Sequence, residues 1–559
     1  MSILILLIWA ATCFAGPPDA GQLLREQRPQ QTLPQRLPAP DQGEGKPITD
    51  ETAARILVRE FLFTGYDGLA TADELQDLVA DFVGKELDYE KLQAVAARVT
   101  RYLKERGWLL ARAWLPSQDV SNGRITIAIV QGKSDGTLEI DADDTLRIRK
   151  NRLEKIGAQG IRRGEPVRRA DLERAVLLMN DLPGIRAKAI LSPGGEPGSI
   201  RVTYRASEGP LLNGTLMAEN FGNRYTGTLR FGGTASLNDP LGLGDRLTLS
   251  LSGSRGLKSG RLRYALPLLA NGLSWHIDSS YLTYELGEEF SNLDVTGSAL
   301  TIATGISYPW WRSRKANVTA TLDYEYRELS DEAMSVAVED TRLHRGALGL
   351  HGDYNDDFFN GGLTLWGLSA GFGRLSEATA DLDITGSEGS YTIFNLEIAR
   401  LQRLTPKLTL NAAWRAQYSL DNLDSSEQFA LGGPYGIRAY SVSEALGDSG
   451  HLFTLETRYA LKLPNLPGHL EWMTFFDAGH ITLHHSPWAN AVSTETGKNR
   501  YWLAGAGTGL SYRCFKERLH LQLFWAHAIG DNDGRSSDGT DAEGRDRDQR
   551  VWAQAKLVF

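Results

Sequence analysis

The chain has 559 residues, a formal charge of −9 and 42% hydrophobic residues. That length implies several domains, and the acidic balance leaves no basic footprint for nucleic acid. The two cysteines exclude a disulfide-stapled scaffold, and no apolar run beyond the leader approaches the roughly 18 residues of a membrane helix.

Ile3–Ala11 reads as a signal-peptide core, and Cys13-Phe14-Ala15 offers a small residue for cleavage before Gly16. Residues 1–15 are therefore expected to be a leader that takes Cys13 with it and leaves Cys514 unpaired. Residues 16–46 are rich in Pro and Gln and read as a linker. Within them Asp19–Gln31 is the candidate for a short helix, stopped by Pro34 and Pro38.

Residues 47–133 read β-α-α-β-β. Ile56–Phe63 is a predicted strand, and Ala72–Phe82 a helix with Leu75, Leu78, Val79 and Phe82 on one face. Asp88 caps a second helix striped by Leu92, Val95, Val99 and Leu103. Trp108–Leu115 and Arg124–Gln131 form a hairpin around Asn122-Gly123. Residues 134–209 repeat the order: a strand at Thr137–Ile140, helices at Leu146–Ile156 and Ala170–Leu182, strands at Ile185–Leu191 and Ser199–Ala206. A tandem α/β unit is thus set between a leader and a long carboxy-terminal region.

From residue 210 to 559 about sixteen short amphipathic strands succeed one another. In the seventh, Val318, Ala320, Leu322, Tyr324 and Tyr326 share one face, with Thr319, Thr321, Asp323 and Glu325 on the other. In the eleventh, Leu408, Leu410, Ala412, Trp414 and Ala416 oppose Thr409, Asn411, Arg415 and Gln417. Links after even strands are short, such as 269–272 and 402–407. Several links after odd strands are long and polar: 327–343, 374–390, 420–450, 480–501 and 530–549. Apolar-out, polar-in alternation with short turns on one side and long loops on the other predicts an antiparallel transmembrane β-barrel of the outer membrane. Charged inward positions such as Asp323, Glu325 and Arg415 predict an ion-conducting lumen.

The loop at 420–450 is rich in glycine, and its run Gly436-Ile437-Arg438-Ala439-Tyr440 carries an Arg that wants an anionic partner. In the thirteenth strand, Leu470, Trp472, Thr474, Phe476 and Ala478 face lipid, so Phe475, Asp477 and Gly479 face the lumen. An Arg438–Asp477 pair would tether the loop inside the barrel; a solvated Arg438 is the alternative on spacing alone.

Enzyme readings do not fit. Gly367-Leu368-Ser369-Ala370-Gly371 matches a nucleophile pattern but sits mid-strand, where its strand–turn–helix elbow has no place. Gly505-Ala506-Gly507-Thr508-Gly509 lacks the Lys-Ser/Thr of a phosphate loop. The ten histidines show no metal-ligand spacing, and the loop at 531–548, rich in Asp, also carries the Gly and Arg of a solvated loop. No catalytic set, metal site or cofactor is expected.

Taken together, the chain resembles the outer-membrane transporters of two-partner secretion, within the superfamily that joins POTRA domains to a sixteen-strand barrel. Gly436-Ile437-Arg438-Ala439-Tyr440 is similar to that superfamily's Val-Arg-Gly-Tyr/Phe loop motif, with Ile for Val and Ala for Gly. Phe475-Phe476-Asp477-Ala478-Gly479 matches its Phe-x-Asp-x-Gly strand motif. Residues 220–227 and 237–245 look like the first strands of two-partner transporters. The resemblance implies two POTRA domains, 47–133 and 134–209, in the periplasm, and a barrel over 210–559. It implies that an unfolded exoprotein, an adhesin, cytolysin or similar β-helical protein, docks on the POTRA domains and threads a monomeric barrel. It also implies a lumen-plugging helix at Asp19–Gln31, and biogenesis through periplasmic chaperones and the barrel-assembly machinery in outer-membrane lipid. An assembly factor for other barrels, or a solute porin, is the alternative. The candidate docking edge is Trp108–Leu115, where Trp108, Leu110 and Trp114 offer apolar grip and Ala111 and Ala113 offer ladder donors ahead of Pro116.

Overall fold

A computed structural model of the chain describes residues 17–28, 56–108, 110–120, 122–142, 146–196, 199–377 and 385–559. The expected leader and the end of the expected Asp19–Gln31 helix lie outside them. The chain forms two compact units, one holding residues 1–38, 210–240 and 245–559, the other 39–209 and 241–244. The first described helix, α1 (Ala20–Glu26), belongs to the amino-terminal segment.

In the smaller unit the first repeat begins with β1 (Ile56–Leu57) and β2 (Glu60–Thr64), followed by α2 (Ala72–Val79), β3 (Glu86–Leu87) and α3 (Tyr89–Glu105). β4 (Arg112–Trp114) and β5 (Arg124–Val130) complete it, with β2 parallel and β4 antiparallel to β5. Thr71 and Glu74 close a reciprocal capping box at the start of α2, and Asp88 caps α3 through the Lys91 N–H at 2.8 Å. The predicted stripe Leu92, Val95, Val99 and Leu103 is buried against Phe61, Ile125 and Ile127. The second repeat has β6 (Lys133–Ala142), α4 (Lys150–Gly157), α5 (Arg169–Asn180), β7 (Ile185–Pro193) and β8 (Ser199–Glu208), with the same sheet order. The two repeats are bonded to each other: Arg169 N–H donates to Gly107 O at 2.9 Å, and the Arg168 guanidinium lies 5.0 Å from the Trp108 ring.

The larger unit is a closed antiparallel barrel of sixteen strands. Its first half is β9 (Leu212–Glu219), β10 (Arg230–Asn238), β11 (Arg246–Gly253), β12 (Leu257–Pro267), β13 (Ser274–Glu285), β14 (Thr296–Arg312), β15 (Ala316–Ala333) and β16 (Val336–Asp356). The second half is β17 (Gly362–Glu377), β18 (Gly389–Arg403), β19 (Leu408–Ser419), β22 (Ser449–Leu461), β23 (His469–Thr482), β24 (Arg500–Cys514), β25 (Leu519–Ala528) and β26 (Gln549–Val558). Between β19 and β22, the short β20 (Phe429–Ala430) and β21 (Leu446–Gly447) pair within the long loop. Outward residues such as Leu322, Tyr324, Leu368, Phe372, Trp472 and Phe476 are exposed, as a lipid-facing band requires.

The predicted loop 327–343 is instead strand. β15 and β16 continue to a two-residue turn at Met334-Ser335, both with left-handed φ (50° and 60°). The outward row of β15 changes from Leu322, Tyr324 and Tyr326 to Glu328, Ser330 and Glu332, so the hydrocarbon ends near Tyr326 and the rest of the hairpin stands outside the membrane. At the closing seam β26 meets β9 over only five residue pairs, Gln554–Val558 against Thr215–Glu219. Asn220 lengthens it: its side chain donates to Val551 O at 2.9 Å and accepts from Ala553 N at 2.8 Å, as a backbone unit would.

Candidate functional site

The loop between β19 and β22 folds back into the barrel. Its β20–β21 hairpin and the turn at Gly432–Ile437 present Leu431, Ile437, Ala439 and Tyr440 as buried residues against the wall. The wall is bare where they land. An added Cβ at Gly505 would lie 2.6 Å from Ala439 Cβ, and one at Gly507 2.7 Å from Phe475 Cε2. Gly479 is overlain by Leu431 Cδ2 and has Ile437 Cδ1 at 3.4 Å. Gly505 is therefore a floor for the loop and Gly507 for Phe475, while a Cβ at Gly509 would meet Phe524. Ala439, where the superfamily has Gly, is not in a left-handed conformation, so its methyl is accommodated without backbone strain.

Arg438 reaches Asp477 with both side chain and backbone. Nε lies 2.9 Å from Oδ2, Nη2 2.9 Å from Oδ1, and the Arg438 N–H 3.2 Å from Oδ2. Nη1 meets Glu456 Oε2 at 2.5 Å, and Arg458 holds the other Glu456 oxygen at 2.7 Å. The guanidinium stacks 3.4 Å from the Phe475 ring centroid, and Trp552 Nε1 donates to Arg438 O at 2.7 Å. Arg438, Asp477 and Glu456 are all buried, so the pair is bidentate and screened from water. Of the residues expected from the sequence, Gly436, Ile437, Arg438, Ala439, Tyr440, Phe475, Asp477 and Gly479 thus form one cluster. Glu456 and Trp552 escaped the sequence reading; strand parity places Glu456 inward, but nothing distinguishes it from other lumen carboxylates.

A second tether lies nearer the loop's start. Glu427 accepts from Arg327 Nη1 and from Arg28 Nη2 at 3.2 Å, and Arg345 Nε stands 3.4 Å away. Arg327 is fully buried and also holds Glu325 at 2.6 Å. Arg28 lies just past α1, a helix shorter than expected. α1 buries Ala20, Leu23 and Leu24 against Leu282, Tyr284 and Leu329 of the barrel wall. It is tied to the loop through Arg25 Nη2–Ser443 Oγ (3.1 Å), Ser443 Oγ–Glu26 Oε1 (2.8 Å) and Ser425 Oγ–Asp19 Oδ1 (2.7 Å). Gly21 is the contact point: a Cβ there would collide with Ser425 Oγ and lie 2.9 Å from Ser426 N. Gly21→Leu is expected to lift the helix from the loop by the usual overpacking cost of about 1–3 kcal/mol, raising single-channel conductance in planar bilayers; unchanged conductance would show that the helix does not occlude the pore.

The candidate docking edge differs from expectation. Trp108 is partly buried in the first repeat's core, its Nε1 donating to Leu69 O at 3.0 Å, and Leu110 is half-buried. Only residues 112–114 are strand. Ala111 donates its N–H to Trp108 O at 3.2 Å, and Ala113 donates its own to Thr100 Oγ1 at 2.9 Å. Both ladder donors are thus occupied within the domain, and of the aromatic grip only Trp114 stands exposed. The second repeat copies the device at Asn180, which brackets the Ala187 backbone at 2.9 Å on both sides, but β7 runs on beyond it.

Ser369 lines the lumen, consistent with its mid-strand place. The acidic loop 531–548 is ordered by arginines: Arg535 pairs Asp548 at 2.8 Å and also Asp546, and Arg550 pairs Asp541 and Glu543, each at 2.5 Å. Among the described residues no group of three or more His, Cys, Asp or Glu is placed to hold a metal ion.

A closed sixteen-strand barrel with an inward loop pinned to its wall, preceded by two β-α-α-β-β repeats, defines an outer-membrane POTRA-plus-barrel protein. Residues 198–512 match the family described as haemolysin secretion/activation protein ShlB/FhaC/HecB, and residues 56–132 match the ShlB-type POTRA domain. The chain belongs to this family: it is an outer-membrane transporter of two-partner secretion, with its POTRA domains in the periplasm. It is 25% identical over 511 residues to the heme/hemopexin transporter protein HuxB of Haemophilus influenzae (strain 86-028NP), covering 89% of each chain. It is 25% identical over 517 residues to the outer membrane transporter CdiB of Escherichia coli O6:K15:H31 (strain 536 / UPEC), covering 88% of this chain and 82% of that one. The solved structure of CdiB from Escherichia coli shares the fold with a TM-score of 0.70 at 20% identity, over 97% of this chain and 96% of that one.

Proposed function

We propose that the transporter captures its unfolded exoprotein by strand addition along β7 of the second POTRA domain, threads it through the barrel beside the Arg438-pinned loop, and is closed at rest by α1. The observation that carries the docking step is the edge itself: among the described residues β7 pairs only with β8, and Ala189 and Leu191 share the outward backbone parity of Ala187 beyond the reach of Asn180. An unfolded chain has free backbone donors and acceptors that such an edge complements. The β4 edge, with Ala113 held by Thr100, lacks this supply.

The substrate class is an extended, β-forming polypeptide such as an adhesin or cytolysin, moved without covalent chemistry. Ser369, the one residue in a nucleophile pattern, sits between glycines within a strand, outside any elbow that would activate it. One copy of the barrel suffices for transport, set in outer-membrane lipid by chaperones and the barrel-assembly machinery.

Ala189→Pro removes one edge donor while leaving the β8 pairing face intact. It is expected to weaken binding of the exoprotein's amino-terminal region about tenfold, the loss of roughly one hydrogen bond and its neighbours, with POTRA folding retained by circular dichroism. Unchanged binding by a folded variant would remove β7 as the docking edge.

A further inference from the structure

The amino-terminal end of α1 meets four carboxylates from four separate places. Asp19 caps the helix, accepting from Gln22 N at 2.7 Å. Asp331 of β15 accepts the Ala20 N–H at 3.1 Å and the Tyr284 hydroxyl at 2.5 Å. Glu339 of β16 stands directly opposite Asp331 in the ladder and accepts from Thr341 Oγ1 at 3.1 Å. Asp424 of the long loop accepts from Ser426 N at 2.9 Å, next to Ser425, which donates to Asp19. Like charges directly opposite in a ladder repel, and here two of them face a third on the helix and a fourth on the loop.

We infer that this cluster is a pH-sensitive latch on the plug: acid holds α1 in the barrel, and alkali expels it. The inference rests on reading α1 as the resting plug. Both wall carboxylates stand on the part of the hairpin beyond Tyr326, outside the membrane. Asp19, Asp424 and Tyr284 face Asp331; Asp19, Asp424, Asp331 and Thr341 face Glu339; Asp19 and Arg327 face Asp424; and Arg25 faces Asp19. Burial, then the Asp19 charge, pushes Asp331 up to about 7. Burial and the Asp19 and Asp424 charges push Glu339 up to about 7 as well. Asp424 is raised by burial and by Asp19.

Once α1 leaves, the wall carboxylates face water at the ordinary value of about 4. The plugged state therefore binds protons more tightly than the open one. Its advantage is complete below that ordinary value and is lost as pH rises through about 7, where the carboxylates ionise and repel Asp19. The helix dipole and the Ala20 hydrogen bond favour an ionised Asp331, so they soften the latch without reversing it. The plug is thus held by protons at its outer end and by the Arg28–Glu427 pair further in.

The test is the open probability of the full chain in planar bilayers at pH 6 and pH 8, beside a variant lacking residues 17–28 and the Asp331→Asn/Glu339→Gln double variant. The wild-type ratio of open to closed time is expected to rise at least about tenfold from pH 6 to pH 8, tenfold being the effect of one such group. The double variant is expected to stay closed at both values, and the deletion variant to conduct fully at both. Glu339→Gln alone, on the protruding hairpin, serves if the double variant does not insert, and is expected to retain part of the rise. A deletion variant no more open than wild type would remove the plug reading itself. An open deletion variant beside a wild type indifferent to pH, or neutralised variants that keep the full rise, would overturn the latch while leaving the plug.

Discussion

Arg438→Ala is expected to reduce export while the barrel stays inserted. Its guanidinium is the cation shared by buried Asp477 and Glu456, and its removal leaves Asp477 with no arginine bonded to it. Breaking a buried pair at one end costs about 3–5 kcal/mol. That is enough to free a loop seated mainly by apolar contacts on Gly479 and Gly505, but small against the ladder of sixteen strands. The outcome is read from exoprotein in the medium and from heat-modifiable migration of the barrel. Asp477→Asn, which keeps an acceptor for the Arg438 N–H, is expected to retain part of the activity. Normal export by Arg438→Ala would show that the loop needs no pin.

Arg327→Ala is the second large effect, at the other tether. Arg327 is fully buried and neutralises Glu427 and Glu325 together. Without it buried Glu427 and half-buried Glu325 share Arg345 and Arg28, a loss again of about 3–5 kcal/mol. Because Glu427 belongs to the loop, the loop loses its fully buried anchor, and α1 is left with a looser one through Arg28 and Glu427. Bilayer conductance is expected to rise, and the loop between residues 420 and 448 to become open to added protease on intact cells. A closed, protease-resistant channel would place the anchor elsewhere.

Much of this was legible in the sequence, for a definite reason. A barrel strand has lipid on one side and water on the other, so Thr319, Thr321, Asp323 and Glu325 alternate cleanly with Val318, Ala320, Leu322 and Tyr324. The same physics hid the hairpin at 327–343: beyond the hydrocarbon both faces meet polar surroundings, and strand looks like loop. Arg438 and Asp477 stood out because a motif and strand parity pointed at each other. Glu456, Glu427 and Arg327 did not, since inward charges are ordinary in a wet lumen and only the folded loop buries these three. That Thr100, thirteen residues before Ala113, occupies the Ala113 donor was hidden, because helix periodicity does not reveal such a contact. The glycines of 505–509 showed a close approach but not what approached.

Passage of the exoprotein through the lumen, rather than along the lipid face, separates a transporter from a barrel-inserting factor. The measurement is photo-crosslinking from two neighbouring positions of one strand, Ser369 facing the lumen and Leu368 facing lipid, to an exoprotein stalled in mid-export. Adducts from Ser369 and none from Leu368 are the predicted result. Adducts from Leu368 with none from Ser369 would contradict it.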